Sequence, residues 1–261
     1  MTLSTTALVI VPTYNEAENI ERLVAEILEQ PAPLHVVIVD DQSPDGTGAL
    51  ADALAAEDTR VVVIHRASKL GLGTAYLAGF RHAIEGGYGY AITMDADFSH
   101  HPHYLPRLLA LMQDCDVAIG SRYVAGGGVT GCALPRVLLS RGANALAKFT
   151  LGLKTLDSTA GFRCYKVAVL RAVGLDSLFS NGYSFLIEMA TRCQRRGFRT
   201  DELPIIFDDR RLGRSKISRA EILRSVYTIF RLRCSWLPWD RWMSHASQQP
   251  GEEKDKNPQA A

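Results

Sequence analysis

The chain has 261 residues, of which 47% are hydrophobic and 22% are charged, and its formal net charge is +1. This composition is typical of a globular protein and excludes a fibre or a wholly disordered chain. The near-zero charge excludes a general attraction to nucleic acid or to a membrane, so an anionic partner has to be met by a local cluster of basic residues.

Cysteine usage and the shortness of the apolar runs indicate where the protein works. There are five cysteines, an odd number, and none forms a C-x-x-C pair. The first residues lack the basic stretch, apolar core and cleavage site of a secretory signal. No apolar run approaches the roughly 18 residues that a membrane-spanning helix needs. We therefore expect reduced thiols in a cytoplasmic protein that does not cross a membrane.

Short apolar runs alternate with amphipathic segments through the first half of the chain, as in repeated β-α-β units. Asn15 and Glu18 have the spacing of a capping box, which predicts a helix from about Asn15 to Pro31. Strands are predicted at 7–11, 36–39, 61–64, from 91 into the carboxylates that follow, and at 117–119; further helices are predicted at about 47–57, 74–85 and 103–113. We expect an α/β fold with a largely parallel, Rossmann-like sheet flanked by helices, and a ligand site at the carboxyl ends of its strands.

The last third of the chain has a less regular pattern that ends in a basic segment. A strand is predicted at 159–165, helices at 166–173 and 184–196, and a strand at 200–207. Residues 210–241 contain nine basic side chains and only two acidic ones. Apolar residues at helical spacing predict a basic amphipathic helix over about 216–234, which leads into Trp236, Trp239 and Trp242. This helix either lies in a membrane interface or packs on the core, since one pattern serves both. Residues 244–261 are polar, and we expect a disordered tail.

Carboxylates follow the strand that starts near Ala91. If the backbone stays extended, Asp95 and Asp97 point to the same side and can reach one hard cation, which takes oxygen ligands and often keeps a substrate phosphate in its shell. The alternative is an ordinary strand-end turn, where aspartate is common. Polar residues also follow the first, second and fifth strands, so one crevice can gather them with a metal and a diphosphate.

Six motifs occur in order along the chain: VPTYNE at 11–16, VDDQSPDGT at 39–47, KLGLG at 69–73, MDADFSH at 94–100, IGSRYVAGG at 119–127 and TAGFR at 159–163. Together they resemble the family 2 glycosyltransferases of the GT-A fold, and more narrowly the dolichol-phosphate (polyprenol-phosphate) mannosyltransferases without transmembrane segments. The resemblance covers about residues 7–218 and implies a single GT-A domain over residues 1–243.

The resemblance also implies the roles of individual residues. It places the nucleotide sugar against a set of residues at the strand ends and in a later basic stretch: Pro12, Tyr14, Glu16, Val39, Asp41, Asp95, Ala96, Asp97, Arg210 and Lys216. Asp95 and Asp97 would hold Mg²⁺ or Mn²⁺. Arg122, Arg136 and Ser140 would face the acceptor phosphate. Asp95, Asp97 and Arg122 are therefore the expected catalytic residues.

The implied reaction is an inverting transfer of a sugar, mannose from GDP-mannose, to a polyprenyl (dolichyl) phosphate. A phosphate monoester is mostly ionised at neutral pH, because its second pKa is about 6, so no strong general base is required. The remaining work is electrostatic, and Gly126, Gly127, Gly128 and Gly131 would make the segment between Arg122 and Arg136 a mobile lid over the site.

The acceptor lipid implies a place at a membrane. We expect the protein to bind peripherally to the cytosolic face, through its basic helix or a membrane-anchoring partner subunit, and to have no nucleic-acid partner. Three alternatives remain at this point. One is a sister family 2 transferase that uses UDP-glucose or another nucleotide sugar. The second is a phosphohydrolase of the haloacid-dehalogenase type, whose D-x-D motif also follows an apolar strand. The third is a non-catalytic binding subunit.

Overall fold

The computed structural model describes residues 5–209 and 219–234, apart from the side chains of Tyr183 and of residues 219–224. Its strands are β1 (Ala7–Thr13), β2 (Leu34–Asp40), β3 (Val61–His65), β4 (Tyr90–Thr93), β5 (Val117–Ser121), β6 (Gly128–Thr130), β7 (Arg163–Lys166), β8 (Thr200–Pro204) and β9 (Ile206–Asp208). Its helices are α1 (Ile20–Leu28), α2 (Thr47–Glu57), α3 (Leu72–Glu85), α4 (Leu105–Leu111), α5 (Leu134–Leu151), α6 (Val167–Val173), α7 (Tyr183–Arg195) and α8 (Arg219–Cys234), with short 3-10 turns at Pro102–Tyr104 and Leu175–Ser177.

Seven strands form one sheet in the order β3-β2-β1-β4-β7-β5-β8. Strand β7 is antiparallel to β4 and β5, whereas the other neighbouring pairs are parallel. Strands β6 and β9 form a separate parallel pair. The predicted α/β fold, with a largely parallel, Rossmann-like sheet flanked by helices, is confirmed.

Strand β1 shows why its residues up to Pro12 are all apolar. Alternate residues of a strand face opposite sides of the sheet, and both sides are covered here. Val9 packs in one core with residues of α1 and α4, and Ile10 packs in the other core with Phe80 of α3 and Phe185 of α7. Because both faces are filled with apolar side chains, the polar residues are left to the strand ends.

The start of helix α1 differs from the prediction. The helix begins at Ile20 rather than near Asn15, and Asn15 has a positive φ of 61° instead of helical backbone. The Asn15 N–H donates to the Ser43 hydroxyl, and the Glu16 N–H donates to the Thr47 hydroxyl. The predicted capping box of Asn15 and Glu18 is therefore wrong, because this segment is held by the loop after β2 and not by a helix.

The region between β5 and β7 contains a helix that was not predicted. Helix α5 runs over 18 residues, and large apolar side chains such as Leu138 and Phe149 are exposed on it. Apolar residues on more than one side weaken the helical periodicity, which explains why the pattern was missed. The predicted strand at 200–207 is two strands, because the chain leaves the main sheet after Pro204 and pairs Ile206–Asp208 with β6.

Helix α8 agrees with the predicted basic helix over the part that the structure describes. It packs on α5 and α7, with Ile229 and Leu232 buried and with Tyr227 and Phe230 exposed on the other side. No helix among the described residues has both the length and the hydrophobicity of a membrane span. The tryptophans at 236, 239 and 242 and the predicted tail at 244–261 lie outside the described residues.

Candidate functional site

Asp95 and Asp97 lie at the carboxyl edge of the sheet, just after β4. The strand ends at Thr93, and Asp97 lies in a turn that continues into Phe98, whose φ is 58°. The extended backbone expected for this pair is therefore wrong. A carboxylate oxygen of Asp97 accepts hydrogen bonds from the Ser99 N–H and hydroxyl, which holds the turn. Both aspartates nevertheless line the same cavity.

Two buried side chains surround the Asp95 carboxylate. The Tyr76 hydroxyl donates to Asp95 Oδ1 at 3.0 Å, and Tyr76 is fully buried. His100 Nδ1 lies 3.8 Å from Asp95 Oδ2 and has no hydrogen-bond partner among the described residues. Burial lowers the pKa of His100, against the opposing charges of Asp95 and Asp97, and its ring stacks on Phe162 at 5.3 Å between centroids. Asp95 is thus fixed on one oxygen and close to a polar nitrogen on the other.

A cavity of about 430 Å³ opens beside these carboxylates. Its polar lining includes residues from several elements: Asp95, Asp97, Ser99, His100, Arg122, Arg136, Ser140, Thr159 and Asp209. Its apolar lining comes mainly from α5 and α8: Val137, Leu138, Leu139, Leu146, Val226 and Ile229. One end of the cavity can therefore bind cations and anions, while one wall can hold an apolar chain.

Arg122 follows β5 and is held by a buried carboxylate. Its Nε and Nη2 atoms each lie 2.7 Å from an oxygen of Asp157, and Nη2 also donates to the Thr159 hydroxyl at 2.8 Å. Asp157 is fully buried, and its N–H donates to Glu202. Burial raises the pKa of Asp157, but the hydrogen bonds and charge of Arg122 outweigh this, and the pKa is below its ordinary value. The guanidinium is therefore fixed in place at the cavity wall.

Arg136 and Ser140 are one turn apart on α5 and line the same cavity. The Arg136 guanidinium forms an ion pair with Asp209, whose N–H donates to the Thr130 carbonyl. This pair joins the start of α5 to the strand pair β6 and β9. The structure thus brings all three predicted acceptor-side residues, Arg122, Arg136 and Ser140, next to the aspartates.

The residues predicted for the nucleoside lie at the ends of β1 and β2 and do not line this cavity. Pro12 and Val39 are partners in the register of these strands, and Val39 is fully buried. Tyr14 is partly exposed, with the Lys69 ammonium 3.7 Å from its ring centroid. Strands β1 and β4 are neighbours in the sheet, so this area adjoins Asp95.

The carboxylates of this second area already have protein partners. Asp41 forms an ion pair with Arg66, and both side chains are only 8% exposed. Glu16 accepts a hydrogen bond from the Asn19 side chain at 2.9 Å. Ala96 is buried. Arg210 and Lys216 lie outside the described residues.

Several residues that shape the site were not predicted, namely Tyr76, His100, Arg66, Asp157, Glu202 and Asn144, whose side-chain amide donates to the Thr159 hydroxyl at 2.9 Å. Asp157 could have been found, because it stands two residues before the motif that begins at Thr159 and is an acidic residue in an otherwise apolar and hydroxylated stretch. Tyr76 could not, because its spacing on α3 is that of a core residue. Its hydroxyl reaches Asp95 only through the packing of α3 on the sheet.

The donor set of this edge fits a divalent cation that is bound together with a substrate. Among the described residues there is no group of three His, Cys, Asp or Glu side chains that could hold a metal ion by itself. Mg²⁺ and similar hard cations are often held by one or two carboxylates, with water and substrate phosphates completing the shell. Asp95 and Asp97 match that arrangement, whereas a zinc site would need a closed set of protein ligands.

Comparison with known proteins identifies the class. Residues 8–174 match the family model described as glycosyl transferase family 2. The chain is 47% identical over 224 residues to the polyprenol monophosphomannose synthase of Mycolicibacterium smegmatis, covering 85% of this chain and 84% of that protein. It is 44% identical over 224 residues to the undecaprenyl-phosphate mannosyltransferase of Micrococcus luteus, covering 86% and 92%. The chain therefore belongs to glycosyltransferase family 2.

Solved structures of similar fold agree with this membership. Glucosyl-3-phosphoglycerate synthase from Mycobacterium tuberculosis, in complex with Mn²⁺, UDP and glucosyl-3-phosphoglycerate, superposes with a TM-score of 0.64 at 20% identity, covering 88% of this chain and 80% of that one. The mannosyltransferase PcManGT from Pyrobaculum calidifontis, in complex with GDP-mannose and Mn²⁺, superposes with a TM-score of 0.55 at 17% identity, covering 94% and 80%. The fold is GT-A, as predicted, and the chain is a glycosyltransferase, which removes the phosphohydrolase and the non-catalytic alternatives.

Proposed function

We propose that this glycosyltransferase moves mannose from GDP-mannose to a polyprenyl phosphate at the cytosolic face of a membrane. The observation that carries the proposal is one cavity that is lined by Asp95 and Asp97, by Arg122 and Arg136, and by an apolar wall. A carboxylate pair suits a metal-bound diphosphate, arginines suit a phosphate, and the wall suits an isoprenoid chain. The names of the two relatives support mannose and polyprenyl phosphate in particular.

On the donor side, Asp95 and Asp97 would hold Mg²⁺ or Mn²⁺ at the edge of the cavity. When bound, such an ion supplies positive charge against the diphosphate that leaves. The hydrogen bond from the Tyr76 hydroxyl orients the Asp95 carboxylate. The nucleoside would lie against Pro12, Tyr14, Glu16, Val39, Asp41 and Ala96, and Arg210 and Lys216 would close over the diphosphate.

On the acceptor side, Arg122, Arg136 and Ser140 would hold the lipid phosphate in line with the sugar. An oxygen of the phosphate forms the new bond to C1 of mannose as the bond from C1 to the diphosphate breaks, so the configuration at C1 inverts. The phosphate arrives ionised, and no group of the protein has to remove a proton from it. Arg122 is positioned by Asp157 before the acceptor arrives, which reduces the cost of ordering it.

The apolar wall explains how a lipid could enter a cavity of this kind. Val137, Leu138 and Leu146 of α5 line it together with Val226 and Ile229 of α8. The first isoprene units would lie between the two helices while the rest of the chain stays in the bilayer. The protein would therefore attach peripherally to the membrane, by its own surface or through a membrane-anchoring partner subunit.

A sister activity with UDP-glucose is the alternative, because the fold is shared with glucosyl-3-phosphoglycerate synthase, whose structure contains UDP. A transfer assay separates the two. Purified protein is incubated with radiolabelled GDP-mannose, UDP-glucose or UDP-N-acetylglucosamine, with and without polyprenyl phosphate, and label is counted in the organic extract.

We expect label only from GDP-mannose, only with polyprenyl phosphate, and not after EDTA treatment. Restoration by Mg²⁺ or by Mn²⁺ then identifies the metal. Extraction of label from UDP-glucose instead would contradict the proposed donor, and label without added polyprenyl phosphate, from delipidated protein, would contradict the proposed acceptor.

A further inference from the structure

A second cavity, of about 360 Å³, lies between the C-terminal ends of α7 and α8. It is lined by four arginines, an aromatic ring and a leucine: Arg192, Arg195, Arg196, Arg231, Phe179 and Leu232. We refer to these residues as the arginine cleft. None of them is assigned a role in sugar transfer, and none lines the cavity that holds Asp95 and Asp97.

Protein contacts hold the arginine cleft in shape. The side chain of Arg192 pairs with the buried carboxylate of Glu188 at 2.7 Å and donates to the Ser177 carbonyl. Arg195 Nη2 donates to the Leu232 carbonyl at 2.7 Å, which ties the end of α7 to α8. The Arg231 guanidinium stacks 3.9 Å from the centroid of the Phe179 ring. The guanidinium groups of Arg192, Arg195 and Arg231 are therefore positioned by backbone and aromatic contacts as well as by the ion pair.

The charge of the arginine cleft favours an anion. Glu188 balances Arg192, while Arg195, Arg196 and Arg231 bring further positive charges to the same walls. Burial lowers the pKa of the Arg195 guanidinium, and the nearby charges of Arg233 and Arg192 lower it further. Guanidinium groups gathered in one cleft repel one another, and a bound phosphate would reduce this repulsion by accepting charge-assisted hydrogen bonds from them.

Helix α8 shows which phosphate source fits. Tyr227, Phe230 and Arg231 stand at i, i+3 and i+4 on its outer face, and Tyr227 and Phe230 are 62% and 52% exposed. Exposed aromatic rings beside arginines are typical of surfaces that lie at the headgroup level of a membrane. Such rings would contribute nothing to the binding of a free anion from solution. The same helix lines the catalytic cavity with Val226. Val226 and Arg231 are about 8 Å apart along the axis at 1.5 Å per residue.

We propose that the arginine cleft binds the phosphate of an anionic phospholipid headgroup, and that this contact docks the outer face of α8 on the membrane. The catalytic cavity, on the same helix, is thereby presented to lipids of the same leaflet. Only the physiological reason for docking rests on the proposed transfer to a lipid acceptor. Headgroup binding itself is measured without any sugar donor.

Vesicle co-sedimentation tests the proposal. The protein is mixed with vesicles of phosphatidylcholine alone or with 30 mol% phosphatidylglycerol, a composition chosen so that a surface potential is present at about 0.15 M salt. The double variant Arg196→Gln/Arg231→Gln removes two charges from the arginine cleft. The matched control, Arg22→Gln/Arg60→Gln, removes two charges from residues near α1, where Arg22 pairs with Glu26 and Arg60 pairs with Asp58.

We expect wild-type protein and the control to bind the anionic vesicles and the cleft variant to lose roughly 30-fold in partition coefficient, because each arginine at an anionic surface contributes a factor of about five. Arg196→Lys/Arg231→Lys should restore most of the binding, which separates charge from misfolding, and thermal melts check the fold of each variant. Equal binding by the cleft variant and the wild type would overturn the proposal.

Inorganic phosphate distinguishes a lipid headgroup from a free anion. If 5 mM phosphate raises the melting temperature of the wild type but not of the cleft variant, and vesicles are not bound, the arginine cleft is a site for a soluble anion and the lipid assignment is wrong. The proposed transferase activity is tested separately from this docking site. Cleft-dependent vesicle binding without any sugar transfer would leave the docking site standing and remove only the proposed function.

Discussion

At the scale of single residues, the two sides of the catalytic cavity are fixed differently. Asp95 accepts a hydrogen bond from the uncharged Tyr76 hydroxyl, whereas Arg122 is held by a bidentate ion pair with a fully buried carboxylate. A rigid arginine can bind a phosphate with little further ordering. A carboxylate with an oxygen directed to a cavity can accept a cation that comes and goes with the substrate.

The aspartates give the first prediction. Asp95→Asn and Asp97→Asn keep the size of each side chain but remove a charged metal ligand, and each should lower kcat by about a hundred-fold or more, because the lost stabilisation is greatest when charge develops on the leaving diphosphate. Steady-state transfer assays with a range of Mg²⁺ concentrations measure the effect. Asp176→Asn, at a side chain that is 91% exposed, is the matched control and should be silent. Near-normal, EDTA-resistant turnover in either site variant would show that the metal assignment is wrong.

The second prediction concerns Asp157, a positioning residue. Asp157→Asn should loosen Arg122 and raise the KM for polyprenyl phosphate by at least ten-fold, while the donor Kd stays within a few-fold of wild type, since the donor side has other contacts. Removing one partner of a buried ion pair also costs about 3 kcal/mol of unfolding free energy. Kinetics at saturating donor, calorimetry with the nucleotide sugar and thermal melts provide the three readouts. Arg122→Ala should reproduce the kinetic change, and an equal loss of donor affinity would move Arg122 to the diphosphate.

At the scale of elements, the sequence predicted the regular strands and helices of the sheet but not the segments that border the site. The strands and helices from β2 to α3 lie close to their predicted positions because both sheet faces are apolar and the periodicities are clear. The start of α1 was wrong because hydrogen bonds to Ser43 and Thr47, distant in sequence, replace the local cap. Helix α5 was missed because it lines a cavity and exposes Leu134 and Leu138, so its apolar residues do not mark one face.

Two glycines on helices give a third prediction about packing. A Cβ on Gly79 of α3 would overlap with Ile10 Cγ2 in β1, whereas a Cβ on Gly142 of α5 would meet nothing within 4 Å. Gly79→Ala should therefore lower the unfolding free energy by about 1–3 kcal/mol through overpacking. Gly142→Ala should raise it by up to about 1 kcal/mol, because alanine favours helix. Urea unfolding of both variants measures the pair, and a stable Gly79→Ala protein would mean that α3 does not approach β1 this closely.

At the scale of the whole molecule, the order of the motifs predicted more than any single residue did. Asp97 lies in a turn, so the extended backbone expected for the aspartate pair is wrong, while the assignment of Asp95 and Asp97 to a metal stays a proposal. The gathering of the aspartates with Arg122, Arg136 and Ser140 depends on β7 entering the sheet between β4 and β5, which places the segment around Asp157 beside both. No local pattern in the sequence predicts that insertion.

The strand order also creates a charge contact that gives the last prediction. Asp116, just before β5, accepts from the Lys166 ammonium at 3.0 Å and from the Arg199 N–H at 3.0 Å, so it ties the end of β7 to the start of β8. Burial raises the pKa of Asp116, but the hydrogen bonds and charges of Lys166 and Arg199 outweigh this, and its pKa is below the ordinary value of 3.8. Since the folded-state pKa is the lower one, the unfolded chain binds the proton more readily. The contribution of Asp116 is therefore fully present well above about pH 4 and is lost as the pH falls through the folded-state pKa.

Asp116→Asn should cost about 1 kcal/mol of unfolding free energy at pH 7, and the difference from wild type should shrink below about pH 4. Urea unfolding at steps between pH 7 and pH 3 measures it, with the exposed neighbour Asp114→Asn as the control. A difference that stays constant down to pH 3, or that grows as the pH falls, would show that the Asp116 carboxylate does not join these strands through its charge.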